Sequence, residues 1–442
     1  MVAGSHVRGS RRHGGAGRGG LTGGGAARPE RSHLDTRAAR PAHTGLSRRR
    51  FLQGTSLAGF GAFLAACSGG TTASPSSGGT PAPGSSSPPS TGPQQPTGPL
   101  NFANWDAYID VEDDGVTSPT LVEFTEQYGV EVNYANAEIE DNATFMATIR
   151  PQLEAGVDTG WDLIALTDWM AAKVVTAGWC EQINQANVPD AVANLKDELK
   201  GLPWDPNQDY HYPWQSGATG IGYNSVSTGR ALTKLADLFD PAFATKVTLL
   251  SEVRDTMPLI HLMLQDQGEA SDNPPEEMTA DDAQVVHDYL KPFVESGHIR
   301  AFTGNEYLSD FGGGTTWAAI VWSGDLASSA GENDVFAYPE EGSMIWTDNM
   351  LIPKGAKNKY TAELMINWVY DVNRAARIAN WVYYISPVKG VADAILELDP
   401  ELEGNELLFP PDDVAARQHE QPNWDEATES AVNELFADLT GA

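Results

Sequence analysis

Ser343-Met344-Ile345-Trp346-Thr347-Asp348-Asn349-Met350-Leu351-Ile352-Pro353 is the stretch on which the reading of this chain depends. Its outer residues, Met344 to Trp346 and Met350 to Ile352, have the bulk and apolarity of a buried strand, whereas Thr347, Asp348 and Asn349 are polar. A lone buried carboxylate is costly unless a cation or hydrogen-bond donors meet it. An acid two residues from a Trp inside such a run therefore marks a place where something positive is received. The plainer reading is a strand end entering an Asx-turn, with Asp348 bonded to nearby backbone.

Working outward, strands alternate with helices. Leu100 to Trp105, Val130 to Tyr134 and Trp161 to Leu166 read as strands. Ser118-Pro119 opens a helix that Gly129 ends, and Asn142 to Ala155 is a second helix that Pro151 breaks or kinks. Thr167-Asp168 caps a third helix, and Pro203 to Pro213 is a loop before the extended run Trp214 to Asn224. The pattern then restarts, with a helix from Leu232 to Leu238, a strand from Val247 to Leu250 and helices over Pro258–Gln265 and Thr279–Val294, and Ala318 to Trp322 is a further buried strand. Two α/β units follow, 100–224 and 225–345, each a parallel sheet covered by helices. Helices near 361–372 and 425–439 complete the chain.

Ligands of such sheets gather at the carboxyl ends of strands. Trp105, Tyr108, Trp169, Glu252, Asp255, Trp322, Trp346 and Asp348 all fall there, so two units facing one another would bring them to one cleft. Aromatic faces attract cations by roughly 0.5–2 kcal/mol each, and charged hydrogen bonds add about 1.5–3 kcal/mol. That set suits an organic amine, charged at neutral pH. Taken singly, a Trp at a strand end is ordinary core, and Glu252 with Asp255 around Arg254 is an ordinary ion-pair group. Paired carboxylates also serve glycoside hydrolysis, but no G-x-S-x-G, H-E-x-x-H, P-loop or C-x-x-C motif accompanies them. His211 and His261 lack metal-ligand spacing, and Tyr210-His211-Tyr212 is a thin basis for an iron site.

Length and composition bound the rest. The 442 residues exceed one ordinary core. Residues 1–46 are rich in Gly, Ala, Arg and His and read as a disordered extension. Ser47-Arg48-Arg49-Arg50-Phe51-Leu52 resembles a twin-arginine export motif, and Leu64-Ala65-Ala66-Cys67 resembles a lipoprotein cleavage box, with Cys67 lipidated. Residues 68–99, rich in Ser, Gly and Pro and free of charge, read as a tether. Cys180 then has no partner and reads as a small half-buried residue rather than a catalytic thiol. The net charge of −32 conceals a split: without the 11 Arg and two acids of residues 1–66, the remainder carries 17 basic and 58 acidic residues, a net of −41. Such a body repels nucleic acid and anionic membrane surfaces.

From Leu100 to about Tyr384 the chain resembles the periplasmic spermidine/putrescine-binding proteins of ATP-driven importers. The segments are N-W-D-A-Y (Asn104–Tyr108), F-T-E-Q-Y-G-V (Phe124–Val130), W-D-L-I-A-L-T-D-W (Trp161–Trp169), P-W-Q-S-G-A-T-G-I-G-Y-N (Pro213–Asn224), S-E-V-R-D (Ser251–Asp255), I-V-W-S-G (Ile320–Gly324), W-T-D-N-M-L-I-P (Trp346–Pro353), A-K-N-K (Ala356–Lys359) and Y-I-S-P (Tyr384–Pro387). The resemblance implies an α/β, two-lobed periplasmic-binding-protein fold of type II-like topology with crossing hinge strands. Lobe 1 would be 100–224 with 347–391, and lobe 2 would be 225–346 with 392–442. By position it implies polyamine contacts at Trp105, Tyr108, Thr167, Trp169, Glu252, Asp255, Trp322, Trp346, Asp348 and Tyr384. Asp106 departs from a small hydroxyl residue, adding a carboxylate or a cap, and the order of the acids at Glu252 and Asp255 is reversed. A C-terminal Gln of the family has no matched counterpart here, and Gln421 stands in for it only as a guess. The resemblance implies no enzyme activity, no cofactor and no metal. It implies a lipid-anchored monomer outside the cytoplasmic membrane, or in the periplasm, serving an ABC permease.

Overall fold

A computed structural model describes residues 94–329 and 331–441. The extension, the export segment with Arg48 and Arg49, Cys67 and the tether up to residue 93 lie outside the described residues. The end of the expected tether is tied down: Thr97 donates through its amide to Thr361 Oγ1 (2.9 Å) and through its hydroxyl to Asn358 Oδ1 (2.8 Å).

Ten strands among the described residues form one sheet. They are β1 (Leu100–Ala103), β2 (Val132–Ala135), β3 (Leu163–Thr167), β4 (His211–Asn224), β5 (Val247–Leu250), β6 (Ile299–Thr303), β7 (Ala318–Trp322), β8 (Asp334–Ala337), β9 (Ser343–Leu351) and β10 (Gln418–Glu420). The order is β2-β1-β3-β9-β4-β7-β5-β6, with β8 beside β4 and β10 beside β9. The principal helices are α1 (Pro119–Tyr128), α2 (Asn142–Ala155), α3 (Asp168–Thr176), α4 (Val253–Gln267), α5 (Ala280–Glu295), α6 (Lys359–Val369), α7 (Val372–Val382) and α8 (Glu426–Thr440). Strands β3, β5 and β7 are buried throughout, as expected where helices cover both faces of parallel strands.

Strands β4 and β9 join the two halves of the sheet. They pair antiparallel from His211↔Leu351 to Thr219↔Met344, with an irregularity between Pro213 and Gln215. The second half of β9 pairs with β3 (Thr167↔Asp348 to Ile164↔Leu351), while its first half pairs with β10. The second half of β4 pairs with β7 and β8. Each long strand thus belongs to both groups of strands, the arrangement of a two-lobed α/β fold with crossing strands.

Several local expectations are corrected. β4 begins at His211 inside the expected loop, and the helix expected over Leu232–Leu238 is a 3-10 turn at Leu235–Phe239. α4 starts at Val253 rather than Pro258, because the Glu252 carboxylate accepts from the Arg254 amide (3.2 Å) and caps it. Pro258 lies within α4 and Pro151 within α2, each removing a single backbone donor from an otherwise packed helix. The Asx-turn reading of Asp348 falls, since β9 runs extended past it to Leu351.

Candidate ligand cleft

Fourteen residues line a cleft at the strand ends: Trp105, Asp106, Tyr108, Asn142, Thr167, Glu252, Asp255, Asn305, Trp322, Asp325, Trp346, Asp348, Tyr384 and Gln421. The space between them, mouth included, is about 410 Å³. Ten of the eleven ligand contacts expected from sequence are in this lining. Trp169 is not: it is buried beside the cleft with its ring under Arg254, whose guanidinium carbon is 3.6 Å from the ring centroid.

Asp348 is held by its own half of the sheet. Its Oδ2 accepts from Tyr108 Oη (2.9 Å) and its Oδ1 from Thr167 Oγ1 (2.8 Å), and Thr167 Oγ1 in turn accepts from Asn142 Nδ2 (2.9 Å). Asp255, in the first turn of α4, accepts from Thr219 Oγ1 (2.9 Å) and Gln421 Nε2 (2.8 Å) at Oδ1 and from Trp322 Nε1 (2.9 Å) at Oδ2. Trp346 Nε1 donates to the same Thr219 hydroxyl (3.1 Å). Asp325 accepts from Tyr384 Oη (2.8 Å) and Tyr307 Oη (2.6 Å). Asp106 pins the turn before Tyr108, accepting from the Ala107 amide (2.9 Å), while also facing the cleft.

The aromatic walls depend on close backbone approach. A Cβ on Gly217 would lie 2.6 Å from the Trp346 ring and 2.7 Å from Tyr384, and one on Gly324 would lie 2.6 Å from the Tyr384 ring. Ala107 (φ 51°) and Tyr383 (φ 59°) adopt left-handed backbone just before the two cleft tyrosines. Such positions cost roughly 1–3 kcal/mol and gather at functional sites. Trp105 meets Trp322 edge-on at 6.2 Å, Tyr108 meets Tyr384 at 5.2 Å, and Tyr384 leans on Trp346 at 5.3 Å.

Every described hydrogen-bond partner of these buried carboxylates is neutral, and no Lys, Arg or His is in the described lining. Burial therefore dominates their acidity. It pushes Asp348 up to about 7, against the hydrogen bonds from Thr167 and Tyr108 and with the Asp255 charge. Burial also pushes Glu252 up to about 7, with the Asp255 charge adding to it and the Arg254 charge opposing it, and pushes Asp325 up to about 6. Asp255 is raised by burial despite its three donors. Five carboxyls facing one cleft with no cationic side chain in the described lining are chemically incomplete, and a multiply charged cation would complete them.

Asp325, Asn142 and Asn305 line the cleft without having been expected from sequence, and Gln421, which also lines it, was expected only as a guess. Asp325 had a signal: it lies three residues past Trp322, just beyond a strand's carboxyl end. The two asparagines had none, since each acts by orienting a neighbour. His211 lies outside the lining, bonded through Nδ1 to Asp205 (2.7 Å). Among the described residues no group of three or more His, Cys, Asp and Glu is arranged to hold a metal ion. Cys180 is buried, and burial pushes its thiol up to about 12, so it is no ready nucleophile.

Crossing strands, two groups of strands and an acidic aromatic cleft at their ends define the class: a solute receptor with two lobes. The chain belongs to the bacterial extracellular solute-binding protein family, whose pattern matches residues 120–409. The Salmonella typhimurium spermidine/putrescine-binding periplasmic protein is 28% identical over 315 residues, covering 70% of this chain and 83% of that protein. The Pseudomonas aeruginosa putrescine/cadaverine-binding protein is 25% identical over 356 residues, covering 77% and 93%. Among solved structures, a spermidine/putrescine ABC transporter chain from Listeria monocytogenes superposes with TM-score 0.65 at 25% identity, covering 77% of this chain and 98% of that one.

Proposed function

We propose that this protein is an extracytoplasmic receptor that captures a polyamine, spermidine or putrescine, and delivers it to an ABC-type importer, with no covalent chemistry of its own. The observation that carries this reading is the set of carboxylates Asp255, Asp325 and Asp348, all buried, with the half-buried Glu252, bonded to neutral donors and walled by Trp105, Trp322, Trp346 and Tyr384. An alkyl chain lies between aromatic faces while the ammonium groups meet the carboxylates. The names of the relatives support the same solute class. Micromolar binding needs about −8.2 kcal/mol, within reach of three or four such contacts after ordering costs.

The lobes divide as 100–224 with 347–391 against 225–346 with 392–442, and β4 and β9 act as the hinge. The ligand favours closure because it touches both sides and so binds the closed form better. The Arg48-Arg49 pair directs export, Cys67 carries the lipid anchor, and the tether holds a monomeric receptor off the membrane. If an Arg48→Lys/Arg49→Lys variant is exported as well as the wild type, the twin-arginine assignment is wrong.

The deciding experiment is calorimetric titration of the purified protein with spermidine, putrescine and cadaverine, beside a mass spectrum of ligand carried through purification. Micromolar or tighter binding of at least one polyamine is expected. Absence of heat with all three, or a co-purified sugar or iron complex, would assign the cleft to another solute.

A further inference from the structure

Trp169 is the one expected ligand contact that the cleft does not use, and its surroundings explain what it does instead. α3 carries Trp169 and Lys173 and follows β3, in the half of the sheet built from β1, β2 and β3. α4 carries Arg254 and follows β5, in the half built from β5, β6 and β7. α8, which carries Glu429, belongs with this second half: Asp438 accepts from Lys291 of α5 (2.6 Å) and pairs with His287 (2.8 Å), and Phe436 meets Phe302 of β6 at 5.4 Å.

At the edge of the cleft these elements make a connected charge group. Arg254 is 1% exposed, lies between Trp169 (3.6 Å to the ring centroid) and Trp424 (4.7 Å), and donates to Glu429 Oε1 (2.8 Å) and to the Pro422 carbonyl (3.1 Å). Lys173 crosses from the other half to both oxygens of the same Glu429 carboxylate, with its ammonium 5.0 Å from the Trp169 centroid. None of Trp169, Lys173, Arg254, Trp424 and Glu429 lines the cleft. Yet Arg254 lies between Glu252 and Asp255 in sequence, and Trp169 lies two residues past Thr167, so the group is anchored to the same helix starts that present the ligand-facing oxygens.

We propose that Trp169, Lys173, Arg254 and Glu429 form a latch joining the two lobes beside the cleft, which favours the closed form without touching the solute. Arg254 is also a positioning residue: clamped between two indoles, it fixes the first turn of α4 so that Glu252 and Asp255 face the ligand. The latch rests on the receptor reading above, in that closure is what retains the solute. Its consequence is that the ligand need not supply the whole of the closing free energy, since closure already favoured by the protein raises apparent affinity.

Lys173→Ala is the clean test, because it removes the cross-lobe charge and leaves Glu429 paired with Arg254. Spin labels at Val122→Cys on α1 and Val285→Cys on α5, both exposed, report the lobe separation by double electron–electron resonance, and the dissociation rate of spermidine is measured by stopped flow. In the ligand-free protein, Lys173→Ala is expected to lower the closed-to-open ratio at least about threefold and to raise the spermidine dissociation rate about fivefold. Lys173→Arg, which keeps the charge, should restore both. A ligand-free distance distribution unchanged by Lys173→Ala overturns the latch, whatever the dissociation rate does. If the wild type binds no polyamine, the functional reading fails while the spin-label comparison still decides the latch.

Discussion

Two neighbouring regions bury charge in opposite ways. In the cleft, the buried Asp255, Asp325 and Asp348 and the half-buried Glu252 meet neutral donors and are raised in pKa by desolvation. Beside it, Arg254, Lys173 and Glu429 form a group closed on itself, with indole faces around the cations. The two regions share helix starts, so composition does not separate them. The difference is one of pairing: the second group sets one carboxylate against two cations of the chain itself, and the first has no cationic side chain in its described lining. A site for a diffusible cation is recognised by that deficit rather than by the number of acids.

The comparison is most open to attack through stability. Glu429→Ala strands a buried guanidinium, and removing one partner of a buried pair costs about 3–5 kcal/mol; the partial exposure of Glu429 places the loss near the low end, about 3 kcal/mol in a denaturant melt of the ligand-free protein. Asp348→Asn should do the reverse. Ligand-free stability should hold or rise, since an incomplete buried charge is removed, while polyamine affinity falls at least tenfold, about 1.4 kcal/mol. If both variants lose stability equally, the cleft carboxyls are structural and the contrast fails.

The pH dependences should also have opposite signs. Asp348 and Glu252 at about 7 and Asp325 at about 6 stand above the ordinary carboxylate values near 4 of an unfolded chain. The folded, ligand-free protein thus holds more protons than the unfolded one between those values. The stability these groups contribute is full below about pH 4 and is lost as pH rises through about 6–7. The melting temperature of the ligand-free receptor should therefore decline over this window. Polyamine affinity should rise there by about tenfold as the carboxyls ionise against an amine that stays charged. Glu429 behaves the other way: burial raises it, but Lys173 and Arg254 outweigh that and hold it below the usual range. Its contribution is present at neutral pH and lost as pH falls through its lowered value. Affinity flat from pH 5.5 to 7.5 would show that the cleft carboxyls do not titrate against the ligand.

The smallest effect separates two tryptophans that look alike in sequence. Trp105 lines the cleft, so Trp105→Leu should weaken polyamine binding about fivefold, the scale of one cation–π contact. Trp169→Phe keeps an aromatic face under Arg254 and should change affinity less than twofold. Equal losses would return Trp169 to the ligand.

Much of this was legible without coordinates. Strand-helix alternation follows from apolar runs and caps, as at Ser118, Gly129 and the Thr279–Asp282 capping box, all of which appear in the structure. Trp105, Tyr108 and Trp322 reach the cleft from the address a parallel sheet offers a ligand, at or just past a strand's carboxyl end, whereas Trp346 and Asp348 reach it from within the antiparallel crossing strand β9. Asp325 lies three residues past the end of β7, close to the same address. Asn142, Asn305 and the pairing of Trp169 with Arg254 were beyond reach, since each is defined by a partner far away in sequence.

Sequence alone therefore determined the α/β class, the acidic, aromatic character of the strand ends and the identity of Asp348 as a residue in need of a partner. These follow from local periodicity and from the cost of burying charge. The tertiary structure alone decided that Asp348 lies within a continuous crossing strand, and which carboxyls are left incomplete. It also decided that Arg254, between two cleft-facing acids in sequence, turns away from the cleft toward Trp169 and Glu429. Side-chain direction and burial depend on how two groups of strands meet along β4 and β9, and no local pattern encodes that meeting.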